Sequence, residues 1–308
     1  MPMKTTFSRT LLLGCLCLAQ IGHAKLNVVV TTADLASIVK EIGGSHVEIT
    51  TLARPTEDPH FVDARPSFIA RLNKADALVE GGAELEAGWL PPLLEGSRNP
   101  KIAHGAAGRI ACNEGVRMLE VPASLDRSKG DIHAAGNPHY LMDPANAKIV
   151  ASHIADAFVK LDSPTADAYR TNLKRFSETL EARLPNWEKA LAPYKSQRIV
   201  SYHNSWPYFA ERFGLKIDLF LEPKPGIPPT PAHLAIVIAK MKEEKVRAIF
   251  VEPFLNRKTA ETVARNAGAA ALDVTQFPGG VKGTEGGYIQ LFDYLVSSLA
   301  KALGGGGK

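Results

Sequence analysis

The chain has 308 residues, 45% hydrophobic and 22% charged, a balance that builds a packed core and excludes wholesale disorder. Its formal charge is +4; Lys4 and Arg9 lie in a stretch with no acid before Lys25, so about +2 remains once that stretch is removed. So weak a charge, with no basic stripe interleaved with aromatics, excludes nucleic acid as a partner.

Residues 1–24 read as a cleaved export signal. Lys4 and Arg9 make the positive end, Leu11 to Ile21 a short apolar run, and Gly22-His23-Ala24 the small-residue cleavage site before Lys25. The apolar run is too short to span about 30 Å of hydrocarbon. A competing reading is lipidation at Cys15 in Leu12-Leu13-Gly14-Cys15. With cleavage before Lys25, Cys15 and Cys17 leave with the signal and Cys112 is the only cysteine of the mature chain, so no internal disulfide forms, and a buried apolar role is expected for it.

Leu26 to Thr32 form a β-branched run expected as a buried strand, followed by helical spacing from Ala33 to Ile42 and a stop at Gly43-Gly44. A strand over Val47 to Leu52, a helix over Pro66 to Leu72 and a strand over Ala77 to Glu80 continue the alternation, which predicts βαβ units and a parallel sheet. Residues 113–137 have weak periodicity and read as a long, mobile loop. Asp143-Pro144 then caps a helix, Ser163-Pro164 starts a longer one, and Pro185 is expected to kink or interrupt it. Further strands are expected at Arg198 to Tyr202, Ile217 to Phe220 and Ala248 to Val251, with a closing helix over Tyr288 to Leu303. The fold class is α/β: two lobes, each a mostly parallel sheet flanked by helices, joined by one long linking helix. The expected divisions are 25–162 for the first lobe, 163–194 for the linking helix, 195–303 for the second lobe and 304–308 for a flexible tail.

Three of the nine histidines stand apart: His60 in Glu57-Asp58-Pro59-His60-Phe61, His139 in Gly136-Asn137-Pro138-His139-Tyr140, and His203 in Ser201-Tyr202-His203-Asn204. Two follow expected strands and one precedes a helix, at the edge where open α/β sheets bind ligands. Prolines before His60 and His139 stiffen their loops, and neutral imidazole is a preferred ligand for zinc and its neighbours. These histidines are each more than sixty residues from the next and form no compact motif, so spacing alone leaves metal binding undecided.

The surrounding residues carry a resemblance. Asp58-Pro59-His60, Arg65-Pro66-Ser67, Asn137-Pro138-His139-Tyr140 with Asp143-Pro144, Tyr202-His203 with Tyr208 to Leu215, and Ile249-Phe250-Val251-Glu252-Pro253 occur in order across about residues 26–303. Together they resemble the metal-specific solute-binding proteins of ATP-binding-cassette importers, the group with a rigid linking helix that serves zinc or manganese uptake. The resemblance implies a non-enzymatic periplasmic carrier, a monomer, with a membrane permease as partner and a periplasmic metallochaperone as a further one. It implies ligands at His60, His139 and His203 and a carboxylate at Asp273, with Glu252 and water as rivals for the fourth place. Glu252 is expected to brace the site. Three imidazoles and one carboxylate suit four-coordinate Zn2+, whereas Mn2+, the alternative cargo, favours more oxygen. The alternatives of another class are an exported zinc-dependent hydrolase and an adhesin of the same fold. His46, His153 and His233 are expected on solvated surfaces, and His133, within the long loop, as a residue that captures metal early or meets a delivery protein.

Overall fold

The computed structural model describes residues 24–124, 130 and 133–305. Most of the expected export signal, Cys15 included, and the end of the glycine tail lie outside them. The first lobe runs β1 (Leu26–Val30), α1 (Ala33–Gly43), β2 (Val47–Thr51), α2 (Pro66–Lys74), β3 (Ala77–Glu80), α3 (Leu90–Ser97) and β4 (Arg109–Ala111). Its four strands are parallel in the order β2-β1-β3-β4. Val28, Val29 and Val30 are wholly buried because β1 has strands on both sides and helices on both faces. Alternation sends Val28 and Val30 into one core and Val29 into another, under α2 and α3.

Two helices follow. In α4 (Pro144–Leu161), Asp143 accepts from Ala145 N at 2.9 Å and Pro144 opens the first turn, as their spacing predicts. After a 3-10 turn over Ser163–Thr165 comes α5 (Ala166–Leu191), 26 residues long. Its buried residues Tyr169, Phe176, Leu180, Trp187 and Leu191 make a single stripe at steps of seven and four. Pro185 lies inside α5 without interrupting it. Packed residues on both sides hold the helix across the one hydrogen bond that proline forfeits. Pro185 is exposed, so Pro185→Ala should restore that bond and raise stability by about 1–3 kcal/mol. Thermal unfolding checks this, and an unchanged midpoint would show that the helix had already relaxed around the ring.

The second lobe runs β5 (Arg198–Ser201), α6 (Pro207–Phe213), β6 (Lys216–Phe220), α7 (Pro231–Glu243), β7 (Ala248–Val251), α8 (Arg257–Ala267) and β8 (Ala270–Asp273), and α9 (Tyr288–Leu303) ends the fold. The strand order β6-β5-β7-β8, again all parallel, repeats the plan of the first lobe. A single core joins β1, α1, α4 and α5 to α6, β5, β7 and α9. Polar ties reinforce it: Arg212 of α6 grips Asp143 through Nε and Nη2 at 2.7 and 2.8 Å, and Tyr288 N donates to Ser37 Oγ at 2.9 Å. The lobes therefore share one packed spine. Among the described residues no helix is long and apolar enough to cross a membrane.

Candidate metal centre

In both sheets the central strands end beside a crevice where the strand order switches, the place such sheets present to ligands. His203 stands two residues beyond β5, Glu222 two beyond β6, and Glu252 directly after β7. The first lobe brings His60 on the loop after β2 and His139 on the segment leading into α4. The structure brings these three imidazoles together: their nitrogens lie within 4.8 Å of one another. Ring centres are separated by 5.2 Å (His60–His139), 5.6 Å (His60–His203) and 5.9 Å (His139–His203).

Each ring is aimed by its own local structure. His60 Nδ1 lies 2.8 Å from Asp58 Oδ1, and the Pro59 carbonyl accepts from buried Trp89 Nε1 at 2.9 Å, which anchors the loop. His203 Nδ1 lies 2.7 Å from Glu222 Oε2. An ionised carboxylate only accepts, so both Nδ1 atoms carry protons and both Nε2 lone pairs are left for the centre. His60 Nε2 is buried without a hydrogen-bond partner, as a nitrogen reserved for an ion would be. His139 N donates to Asn137 Oδ1 at 3.1 Å, and the Asn137 carbonyl accepts from Tyr208 Oη across the lobe boundary at 2.8 Å.

The electrostatics divide the rings. Burial pushes His139 well below the ordinary imidazole range, and the neighbouring His60, His203 and His133 push the same way. For His203, burial also favours the neutral ring, but the hydrogen bond and charge of Glu222 overcome it and its pKa is raised. Burial raises Asp58 as well, yet its bond to His60 wins and holds the carboxyl below its usual range. Glu252 is pushed up to about 7 by burial. Its Oε1 accepts from Trp206 Nε1 at 2.8 Å while Oε2 is buried without a partner, so it braces the turn that carries His203.

Asp273, expected as the fourth ligand, is not at this centre. Its carboxylate pairs with Arg257 of α8 and its side chain is 54% exposed. In β8, Asp273 sits opposite Val251, and its side chain leaves on the α8 side of the sheet. The chain then turns back and buries Gln276 against His139 instead. His46, His153 and His233 are half-buried rather than solvated; His233 Nε2, for example, lies 3.0 Å from the Phe220 carbonyl. Cys112 is fully buried, in the apolar role expected. Reading the sequence missed the roles of Asp58, Glu222 and Gln276. Glu222 carries a usable signal, since it follows a strand at the same sheet edge as His203.

Comparison with known proteins agrees with this fold. The family model described as ZnuA, zinc-uptake complex component A, periplasmic, matches residues 28–302. The metal ABC transporter substrate-binding lipoprotein ScbA of Streptococcus cristatus is 25% identical over 292 residues, 92% of this chain and 91% of its own. The manganese ABC transporter substrate-binding lipoprotein PsaA of Streptococcus pneumoniae is 25% identical over 248 residues, 79% of this chain and 77% of its own. A crystal structure of ZnuA shares the fold with a TM-score of 0.76 at 24% identity, covering 90% of this chain and 99% of that one. Fold, family match and relatives together define a substrate-binding protein of a metal ABC transporter, not an enzyme. Within that class, the chain belongs to the family of zinc-uptake complex component A.

Proposed function

We propose that the protein captures zinc between its lobes with His60, His139 and His203 and surrenders it to the permease of its importer. The observation that carries this reading is the donor set: three imidazole nitrogens meet, and no carboxylate oxygen joins their group among the described residues. Tetrahedral zinc with Zn–N near 2.0–2.1 Å spaces its nitrogens about 3.4 Å apart. A contraction of about an ångström or so from the 4.8 Å limit would seat the ion, a shift that cleft loops supply without moving the shared core. Manganese, for which PsaA is named, prefers a site richer in oxygen. The work belongs outside the cytoplasm, because residues 1–24 have the make-up of an export signal. The relatives are named as lipoproteins, and a lipid on Cys15 would be the anchored form of the same placement. A monomeric carrier, supplied by a periplasmic metal donor, completes the reading.

The test is competitive loading of the stripped, purified chain with equal zinc and manganese, followed by desalting and elemental analysis. A single retained zinc per chain is expected. Retained manganese would reassign the cargo, and no retained metal would overturn the site.

A further inference from the structure

With Asp273 turned to Arg257, no fourth donor joins the three imidazoles among the described residues, and the structure places one side chain of the right chemistry at their edge. His133 lies with its ring centre 5.2 Å from that of His60, the rings inclined by 32°. Two imidazoles on one tetrahedral zinc stand with ring centres about 5 Å apart, given Zn–N near 2.0–2.1 Å. That ring-centre spacing matches the 5.2 Å between His60 and His139, while the His133 nitrogens stay outside the trio that lies within 4.8 Å, so His133 would join the ion by a further approach of its loop. His133 also lines the same cavity of about 120 Å³ as His139 and His203.

His133 is held there by its backbone. Gly136 N donates to the His133 carbonyl at 3.1 Å, and Ala134 N donates to Glu84 Oε2 of the first lobe. Gly136 has φ of 101°, and a Cβ on it would meet the Leu119 carbonyl at 2.7 Å. That glycine lets the chain reverse, so that His133 and His139 flank one turn and face one cavity. Beyond the turn, Asn137 N donates to the Leu119 carbonyl at 2.8 Å. Glu120 Oε2 accepts from Asn137 at 3.0 Å and from Asn204 of the second lobe at 2.8 Å. The segment is thereby tied to both lobes around the centre.

We propose that His133 is the fourth metal ligand, making an all-imidazole site that selects zinc and its borderline neighbours over manganese. The inference rests on the three-histidine reading above and adds a ligand to it. A nitrogen in place of the expected carboxylate removes the one hard oxygen donor, and the bound ion then keeps a net double positive charge. It also makes the 133–137 turn report occupancy, since a loop residue bound to the ion cannot take the same position when the ion leaves.

The experiment uses the full mature chain with cobalt(II) as a spectroscopic probe and zinc affinity measured against a chelator. Wild type, His133→Ala and Asp273→Ala are compared. Expected is the intense visible absorption of four-coordinate cobalt in wild type and Asp273→Ala, with equal zinc affinity. In His133→Ala water would take the fourth place, so that absorption should change in position and intensity, and zinc affinity should fall by more than the 10–100-fold typical of an outer hydrogen-bond partner. An unchanged cobalt spectrum in His133→Ala overturns the proposal whatever the affinity, because His133 then acts from outside the ion. A band altered in Asp273→Ala also overturns it and returns the carboxylate to the site. Failure of wild type to bind either ion would instead overturn the three-histidine reading itself.

Discussion

Replacing His203 with alanine is expected to abolish stoichiometric zinc uptake while leaving far-ultraviolet circular dichroism unchanged. The ring sits beyond β5 at the cleft, outside the shared core, so its removal takes a ligand without taking packing. A three-imidazole group that loses His203 retains two, both from the first lobe, and affinity should drop by several powers of ten. His60→Ala should behave alike. Glu222→Gln tests the same site more gently: losing an outer hydrogen-bond partner should cost about 10–100-fold in affinity. It should also move the pH profile. Metal needs the neutral imidazole, and Glu222 raises the pKa of His203, so in wild type protons compete from above the usual histidine value near 6.5. Binding is therefore expected to weaken as pH falls through that raised value, while His139, held far lower, adds no competition there. In Glu222→Gln the onset of weakening should shift to lower pH even though affinity at pH 8 is reduced. A fall in affinity with an unmoved profile would mean that Glu222 orients the ring without setting its proton affinity. Zinc retained by His203→Ala would place the ion elsewhere.

Local signals made much of the fold legible. The run of valines in β1 cannot be satisfied except between two neighbours and two helical layers, and α9 was bounded from Tyr288 to Leu303 by periodicity alone. The same signals failed where elements are brief or atypical. β4 is three residues long, and α3 opens with Leu90-Pro91-Pro92, which reads as a breaker although proline suits a first helical turn. The duplicated strand order left no repeat in the sequence, because topology constrains burial and not residue identity. The histidines are legible through their flanking residues, and so is Asp58 beside His60, but two other partners are distant in sequence: Glu222 is 19 residues from His203, and Gln276 is more than a hundred from His139. Asp273 shows the limit most plainly. A carboxylate after a late strand fits two placements, and pairing with Arg257, sixteen residues earlier, decides between them.

Trp206 carries the largest expected effect on stability. Its ring is wholly buried, edge-on to Phe250 at 4.9 Å and Phe209 at 5.8 Å, and its Nε1 donates to Glu252 Oε1. Trp206→Ala should cost about 3–5 kcal/mol through lost contacts and the cavity left behind. Trp206→Phe keeps most of the contact and removes the donor, leaving both oxygens of a buried carboxyl unpaired, at a cost of about 1–3 kcal/mol. That cost should depend on pH. The folded-state pKa of Glu252, about 7, lies above its ordinary 4.5, so the folded state holds the extra proton between those values. Stability from this group is thus full at acid pH and declines as pH rises toward 7. The indole stabilises the ionised form; without it the folded pKa climbs further, and the decline continues to higher pH. The loss in Trp206→Phe should therefore be larger at pH 8 than at pH 5, measured by urea unfolding of metal-free protein. Equal losses at both values would mean that the indole acts by packing alone. Because Trp206 lies three residues after His203, the same substitution should loosen the turn that aims that ring, so zinc affinity is expected to fall together with stability.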